Sequence, residues 1–448
     1  MPTPALPDLA AALLDAARKA GAESADALAV TDAALNIDYR QGRLEQAERS
    51  EGTEVGLRVL IGGRQACVSA SDIAPATLAA LAERAVAMAR EAPQDPSAGL
   101  ADPDQTARGW DLAALDLCDP APDPLPAALE QAARALDGAA MAAGGVAQAE
   151  ATAAFSRREV FLAQSNGFAG GHARTSHSRS VTAFCGSGTG MERDWAGETR
   201  THGADLPDLE AMGRLAAERA HARLGAVKPP TGRFPVVYDE RVASSLIGHL
   251  LSAINGSAIA RGASWARGLM GQQVLPAGLW LTEDPLRPRS GASRPFDAEG
   301  LPTRAKALVQ DGVLQTWVLD LATARRLGLQ STANASRGPT APPSPSTTNV
   351  DLTQGAQSRD DLLAAMGTGL LICGMIGQTI NPTTGDYSRG ASGFWVENGR
   401  ISHPVNECTV AGNLRDMLLR IVPANDARSH LTLRVPSILI DGMTLAGA

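Results

Sequence analysis

The sequence is poor in aromatic residues, which make up 4% of its 448 residues. A base-stacking surface for single-stranded nucleic acid is therefore not expected, because such surfaces are built from aromatic side chains. A basic surplus is missing as well, since 48 Asp and Glu against 40 Lys and Arg give a formal net charge of −8. Proteins that bind DNA or RNA carry the opposite imbalance, so direct nucleic-acid binding is not predicted.

Cysteine and long hydrophobic runs are also scarce. The cysteines are Cys67, Cys118, Cys185, Cys373 and Cys408. No two form a CxxC pair, and an odd, scattered set favours reduced thiols, packed as small apolar side chains, in a cytoplasmic protein. The longest uncharged stretch, residues 362–385, is broken by glycine and polar residues and does not predict a membrane span. No basic segment precedes an apolar one at the N-terminus, so a signal peptide is not expected.

The patterns that are present predict an α+β protein. A first helix is predicted before Gly21, where apolar residues recur at helical spacing, and a second follows Asp72. Two pairs of strand-like segments are predicted between them, 27–30 with 35–39 and 55–60 with 65–69. Gly62-Gly63 marks the turn of the second pair. This order indicates an antiparallel sheet with helices covering one face.

Two proline-rich segments divide the chain. Residues 93–126 contain seven Pro and seven Asp but one basic residue, which predicts a surface loop or linker rather than a packed element. Residues 228–232, KPPTG, form the predicted domain boundary. The two predicted domains are therefore residues 1–227 and residues 228–448.

The second domain is predicted to contain two hairpins. They are centred on Asp311-Gly312 and Asn398-Gly399, dipeptides that favour the positive φ angles of tight hairpin turns. The other predicted elements are a strand at 234–238, a helix at 242–254, a short helix at 414–421 and a last strand at 431–440.

Sequence motifs for familiar catalytic machinery are absent. There is no GxSxG nucleophile elbow, no Walker A loop and no HExxH zinc motif. His249 is predicted to lie on a helix, but Ser244 and Ser245 one turn earlier are not strong zinc ligands. Cys408 and His403 lie in an extended stretch, where closeness in sequence does not make a nucleophilic pair. The residues alone therefore assign no catalytic set.

Two polar clusters are candidate sites. Asp297 and Glu299 could form an acid–base pair, although a solvated turn with an Arg partner is favoured. The second cluster is Asp386, Tyr387, Ser388 and Arg389. Glycines at both ends of this cluster let the backbone bend sharply, which indicates a presented loop. The residues leave open whether this loop binds a ligand or is a structural turn.

Residues 380–399, INPTTGDYSRGASGFWVENG, resemble the signature of the TldD/PmbA family, and the likeness is to its PmbA (TldE) branch. Residues 99–102, 294–300 and parts of 401–414 extend the resemblance over nearly the whole chain. The resemblance implies a C-terminal domain built on a curved mixed sheet. It also implies a subunit of a TldD–TldE type metalloprotease that acts on unfolded peptides, a protein type also labelled modulator of DNA gyrase.

The resemblance further implies where a metal would be held. The TldD branch carries HExxxH on a helix early in its C-terminal domain, and a Cys ligand further along. The matching positions here are Ser244, Ser245 and His249, and residues 424–433 contain no Cys. One imidazole cannot hold zinc against water, so His249 is a lone remnant. We expect no metal, no cofactor and no catalytic residue in this chain.

The leading hypothesis is therefore a non-catalytic subunit, inactive alone, that dimerises with a TldD-like, zinc-bearing partner and helps to hold an unfolded peptide. One alternative is a self-sufficient metallopeptidase with ligands that the motifs do not reveal. The side chains that would have to converge are His249, His403, His430, Glu407 and Cys408. Another alternative is a homo-oligomeric peptide-binding module. None of the three requires direct contact with nucleic acid or a membrane.

Overall fold

The structure, a computed structural model, describes residues 4–447, apart from the side chains of residues 378 and 379. Residues 1–3 and 448, at the ends of the two predicted domains, lie outside the described residues. The α-helices are Leu6–Ala20 (α1), Pro75–Glu91 (α2), Leu112–Leu115 (α3), Pro126–Ala142 (α4), Leu209–His221 (α5), Glu240–Ala253 (α6), Gly256–Ala260 (α7), Leu321–Leu327 (α8), Arg359–Met366 (α9) and Leu414–Leu418 (α10).

The strands fall into a long-stranded first half and a second half of mixed lengths. Those of the first half are Ser24–Arg40 (β1), Arg43–Ile61 (β2), Arg64–Ala70 (β3), Val146–Gln164 (β4), Ala169–Cys185 (β5) and Glu192–Arg200 (β6). Those of the second half are Gly232–Tyr238 (β7), Leu281–Glu283 (β8), Lys306–Gln310 (β9), Val313–Leu314 (β10), Ala335–Ser336 (β11), Ser344–Pro345 (β12), Val350–Leu352 (β13), Gly369–Ile380 (β14), Asp386–Glu397 (β15), Arg400–Asn413 (β16), Val422–Pro423 (β17), Leu433–Arg434 (β18) and Ile438–Ala446 (β19).

The first sheet has the order β3-β2-β1-β4-β5-β6, and all its strands are antiparallel. Alternate residues of a strand point to opposite faces. Ala25, Ala27 and Ala29 of β1 accordingly pack against α1 and α2, while Leu28 and Val30 pack on the opposite face. Helices α4 and α5 cover the remainder of the first face. The predicted α+β class, with a helix-covered antiparallel sheet, is confirmed.

The prediction of separate strands at 27–30 and 35–39 is wrong, because both segments belong to the single strand β1. The intervening residues contain no turn-forming Gly or Pro, and β1 pairs with β2 on one side and with β4 on the other. The predicted turn at Gly62-Gly63 is confirmed, with φ angles of 56° and 72°. Residues 43–52 of β2 are exposed and half of them are charged, a composition that discourages further strand pairing at this edge.

Residues 93–126 form a loop apart from α3 and the first residue of α4, but the prediction that this loop does not pack is wrong. This segment contains α3 and buries several apolar side chains. They are Ala101, Ala107, Leu115 and Leu117. Two of its carboxylates pair with arginines of the second half, Asp95 with Arg326 at 2.6 Å and Asp116 with Arg289 at 2.6 Å. The segment joins the two halves because its apolar residues and its charges both find partners there.

The second half is built around the sheet β16-β15-β14-β7-β19-β17, in which β14 and β7 are parallel. Pairing of β16 with β19, from Thr409↔Ala446 to Ala411↔Thr444, closes this sheet into a barrel. The curved mixed sheet that the resemblance implied is thus confirmed. Both hairpins are confirmed as well, since Asp311-Gly312 and Asn398-Gly399 have φ angles between 50° and 77°.

Helix α6 begins at the end of β7, where the Asp239 side chain accepts a hydrogen bond from the backbone N–H of Arg241. Its apolar face is buried against the barrel, which leaves Ser244, Ser245 and His249 half-buried. Helix α10 is shorter than predicted and ends at Leu418. The last strand lies over Ile438–Ala446 rather than 431–440. A division of the chain at 228–232 stays a prediction.

Among the described residues, no helix combines the length and the apolar character that a membrane crossing requires. The same part of the chain contains Cys185, Cys373 and Cys408 as buried thiols, and Cys67 and Cys118 as half-buried ones. All five are free. The small apolar role predicted for them agrees with this burial.

Candidate functional site

The four residues predicted as a presented loop lie in a strand. Asp386, Tyr387, Ser388 and Arg389 open β15 and pair with the end of β16, from Asp386↔Asn413 to Arg389↔Val410. The loop prediction is wrong because the chain turns earlier, at Gly385, and the ladder starts at the next residue. Strand alternation places Tyr387 and Arg389 on one face and Asp386 and Ser388 on the other.

Tyr387 brings this strand into contact with His249 of α6. The two rings meet edge to face, with 5.9 Å between their centres. Burial, together with the positive charge of Arg389, lowers the pKa of His249 to about 4, so the imidazole is neutral at pH 7. Its Nε2 is buried and has no hydrogen-bond partner among the described residues. The structure therefore joins the lone histidine to the predicted binding cluster.

A second tyrosine lies beneath the first. The hydroxyl groups of Tyr387 and Tyr238 are 3.5 Å apart, and the Tyr387 hydroxyl also lies 3.5 Å from Met375 Sδ. Both tyrosines are almost completely buried, and burial raises the pKa of each phenol. Sequence reasoning missed Tyr238, which is 149 residues from Tyr387, because no spacing rule links positions that only the barrel brings together.

The other members of the cluster organise the surface around this buried pair. The Asp386 carboxylate accepts hydrogen bonds from the Thr384 hydroxyl at 2.6 Å and from Asn413 Nδ2 at 3.1 Å. These bonds lower the pKa of Asp386. Arg389 donates from Nε to the Gly377 carbonyl at 2.8 Å. Ser388 is half-buried on the same face as Asp386.

The side chains near His249 do not fit a zinc site. Ser245 donates its hydroxyl hydrogen to the Val242 carbonyl at 2.7 Å, and Ser244 likewise offers a hydroxyl rather than an imidazole. Structural and catalytic zinc sites use three or four His, Cys or carboxylate ligands. Within residues 4–447, no three such side chains are grouped closely enough to hold a metal ion.

The residues of the self-sufficient alternative have separate partners. His430 Nε2 lies 2.8 Å from a Glu198 oxygen, and Glu407 lies 3.4 Å from Lys228 Nζ. Cys408 is buried and donates from Sγ to the Ala391 carbonyl at 3.2 Å. His403 contacts the hydroxyl of its neighbour Ser402, whereas His249 packs on Tyr387.

Asp297 and Glu299 are buried, so their prediction as a solvated turn is wrong. The Asp297 carboxylate accepts backbone N–H bonds from Glu299, Leu301 and Ala335 at 2.9 to 3.0 Å. The Glu299 carboxylate accepts one from Leu321 at 2.8 Å. Burial raises the pKa of both groups, and the charge of Asp297 raises that of Glu299 further. Their bonds tie this segment to the start of β11 and to the start of α8, because Ala335 is the first residue of β11 and Leu321 is the first residue of α8.

Three family models match the chain along its length. They are described as PmbA/TldA metallopeptidase domain 1 over residues 25–89, central domain over residues 118–224 and C-terminal domain over residues 231–447. The first match begins within β1, and the last covers the whole barrel together with α6. Both parts of the site, His249 and the Tyr387 strand, therefore lie within the matched C-terminal region.

Individual proteins show the same relationship. Metalloprotease PmbA of Escherichia coli O157:H7 is 35% identical over 415 residues, which cover 92% of this chain and 90% of that protein. A candidate modulator of DNA gyrase from Bacteroides thetaiotaomicron superposes with a TM-score of 0.91 at 25% identity, over 98% of each chain. TldE from Thermococcus kodakarensis shares the fold, with a TM-score of 0.84 at 18% identity over 97% of this chain and 99% of that chain. The chain belongs to the TldD/PmbA metallopeptidase family.

Proposed function

We propose that this chain is the non-catalytic subunit of a TldD–TldE type metalloprotease complex that degrades or processes unfolded peptides. The observation that carries the proposal is the set of side chains around His249. A family whose members are named metalloproteases would place its metal ligands on this helix, and here the helix offers Ser244 and Ser245 beside one imidazole.

Peptide hydrolysis by a metalloprotease needs a metal-bound water and a group that accepts its proton. His249 is a single nitrogen ligand, and its neighbours Tyr387 and Tyr238 are phenols whose pKa values are raised by burial. Neither phenol ionises near pH 7, so neither supplies the missing anionic ligand or general base. In this proposal the zinc belongs to a TldD-like partner, and this chain holds no cofactor.

The surface beside the tyrosine pair suits contact with a peptide or with the partner. Ile376 of β14 is 76% exposed, which is unusual for a large aliphatic side chain in a strand. Arg389, on the same face of β15 as Tyr387, and Asp386, on the opposite face, add charges of both signs at the start of this strand. Tyr387 itself is 2% exposed, so its role in the proposal is to position Arg389 rather than to touch the peptide.

Zinc content and peptidase activity test the proposal together. The purified chain is dialysed and analysed for zinc, and peptide cleavage is then measured alone and after addition of the HExxxH-bearing partner. We expect less than one-tenth of an equivalent of zinc, no cleavage alone, and cleavage by the pair that a chelator stops. The variant His249→Phe should leave cleavage by the pair largely intact, because this imidazole holds no metal in the proposal.

Two results would replace the proposal with one of its rivals. Stoichiometric zinc that survives dialysis, with chelator-sensitive cleavage by this chain alone, would establish a self-sufficient peptidase. If the chain forms homo-oligomers that bind unfolded peptide but neither associates with the partner nor stimulates its cleavage, it is a peptide-binding module. All of these measurements use the same preparation of the purified chain.

A further inference from the structure

A cavity of about 380 Å³ lies where the helix-free face of the first sheet meets the second half of the chain. Its wall on the sheet side includes Leu28, Leu162 and Arg174, and its wall on the other side includes Arg294 and Phe296. It shares no lining residue with the cluster around His249 and Tyr387. Its volume falls in the range of small-molecule sites in proteins.

The cavity has an excess of positive charge. Arg158, Arg174, Arg294 and Arg337 line it, and the carboxylate that lines it, Asp297, already accepts three backbone N–H bonds. Arg158 and Arg337 pair with Asp32 and Asp26. Among the described residues, Arg174 and Arg294 have no carboxylate partner and donate instead to carbonyl groups. Arg174 donates to those of Gly291 and Ser293, the latter at 3.0 Å, and Arg294 donates to that of Ser346 at 3.1 Å. Burial and the nearby guanidinium of Arg294 lower the pKa of Arg174.

Three side chains that line the cavity also carry buried donors without acceptors. His172 Nε2 lies 3.0 Å from Arg174 Nη2, and because a guanidinium can only donate, this nitrogen must accept. The ring proton is then on Nδ1, which finds no acceptor among the described residues, and neither do Arg294 Nε and Arg337 Nη2. Burial, with the charges of Arg174 and Arg294, lowers the pKa of His172 to about 3, so the ring does not protonate near neutral pH. A buried donor without an acceptor costs folding free energy, so an acceptor bound in the cavity would stabilise all three groups.

We propose that this cavity is a binding site for a small organic carboxylate with an apolar substituent. The carboxylate accepts hydrogen bonds from the donors of Arg174 and Arg294 that other groups of the chain leave unused, Arg294 Nε among them, and a carboxylate is the acceptor that guanidinium groups favour. The substituent packs on Leu28, Leu162 and Phe296, all of which are less than 9% exposed. An inorganic anion would use the charges but leave this apolar wall uncovered, which is why we infer an organic acid. The inference is independent of the proposed peptidase partnership.

Calorimetric titration of the intact chain tests the inference. N-acetyl-L-leucine supplies a carboxylate and an aliphatic group, N-acetyl-L-leucinamide is its uncharged match, and inorganic phosphate is an anion without an apolar part. We expect the acid to bind at least tenfold more tightly than either of the others, and its affinity to fall as salt is raised. Equal affinity for acid and amide, equal affinity for phosphate, or no binding of the acid at millimolar concentration would each overturn the proposal.

Two kinds of variant assign the binding to this cavity. Arg174→Gln removes an unpaired guanidinium and should weaken the acid at least tenfold. Ala292 lines the cavity and is half-buried, so Ala292→Glu adds a carboxylate that competes from within, while Ala292→Gln adds nearly the same volume without the charge. We expect the Glu variant to lose the acid and to melt at a higher temperature than the Gln variant, which should bind like the parent chain. Retention of tight binding in both Arg174→Gln and Ala292→Glu, or equal loss in the two Ala292 variants, would contradict the inference.

Discussion

Asp26 holds two arginines from distant parts of the chain, and its replacement by Asn provides a quantitative test of how the two halves are joined. Its carboxylate is fully buried, lies 2.6 Å from Arg58 on β2, and also pairs with Arg337, whose side chain is fully buried too. Arg337 belongs to the second half and lines the cavity described above. A single carboxylate therefore neutralises one guanidinium of its own sheet and one of the opposite half.

Asp26→Asn keeps the shape of the side chain and one acceptor oxygen but removes the charge. Two buried guanidinium groups are then left without a counter-ion from this residue. Removal of one partner of a buried ion pair costs about 3–5 kcal/mol, because the remaining charge stays desolvated. For the transition that includes β1, we expect the free energy of unfolding to fall by about 3 kcal/mol, the low end of this range, because one oxygen still accepts one of the bonds.

Asp32→Asn is the matched control, because Asp32 lies on the same strand and the same face, six residues away. Its side chain is 54% exposed and lies 3.5 Å from Arg158, which is 46% exposed. Such surface pairs contribute about 0–1 kcal/mol. Urea unfolding followed by circular dichroism at pH 7, in low and high salt, measures both variants. If Asp26→Asn costs no more than Asp32→Asn, or if its cost disappears in high salt, the reasoning about a buried clamp is wrong.

Three further predictions follow from buried groups and close contacts. The pKa of His249 is lowered to about 4 in the folded chain, so on acidification the unfolded chain binds this proton at a higher pH than the folded chain does. The free energy of unfolding should therefore fall as the pH drops from 6.5 towards 4. His249→Phe should reduce that slope in acid unfolding curves. The pKa of Glu299 is raised, so the folded chain holds a proton that the unfolded chain releases above pH 4.5, and the parent chain loses stability as the pH rises. Glu299→Gln keeps an acceptor for the Leu321 N–H and does not titrate. This variant should therefore gain stability relative to the parent as the pH rises. A Cβ at Gly393 would clash with the backbone oxygen of Leu371 across the ladder, so Gly393→Ala should lower the melting temperature. Gly248→Ala on α6 has open space and should stabilise the helix by about 0.5–1 kcal/mol. Scanning calorimetry of this last pair tests it, and equal shifts would contradict it.

Local patterns in the sequence predicted the elements that depend on local causes. The hairpin turns at Gly62-Gly63 and Asn398-Gly399 require positive φ angles, and those residues adopt them at little cost. Helix α6 was predicted within two residues, because the apolar spacing of a helix is a local pattern. The closure of β16 onto β19 was not predicted from local patterns, since a sheet can be curved or closed with the same alternation.

The site shows the same division between local and distant causes. The residue patterns singled out Asp386–Arg389 and His249 separately, and the structure brings Tyr387 and His249 together. The patterns did not predict that the cluster forms a strand, because glycines at both ends suggested a bend at each. The burial of Asp297 and Glu299 was missed for a related reason. Their carboxylate oxygens accept hydrogen bonds from the backbone of residues such as Ala335, 38 positions away. Residues 294–300 alone contain no pattern that predicts so distant a partner.

In strand β1, a charged residue within an apolar run indicates a buried ion pair. Residues 25–30, ADALAV, are buried without interruption, and continuous burial of a strand means that both faces of its sheet are covered. An acidic residue in such a run must have a cationic partner, because an isolated buried carboxylate is too costly to retain its charge. The sequence therefore indicates that Asp26 has a cationic partner, but it does not identify that partner as Arg337, 311 residues later. The same reasoning applies to the cavity, where four arginines and one carboxylate line the wall. The proposal assigns the missing acceptor to a ligand, and the titration with N-acetyl-L-leucine measures whether that is so.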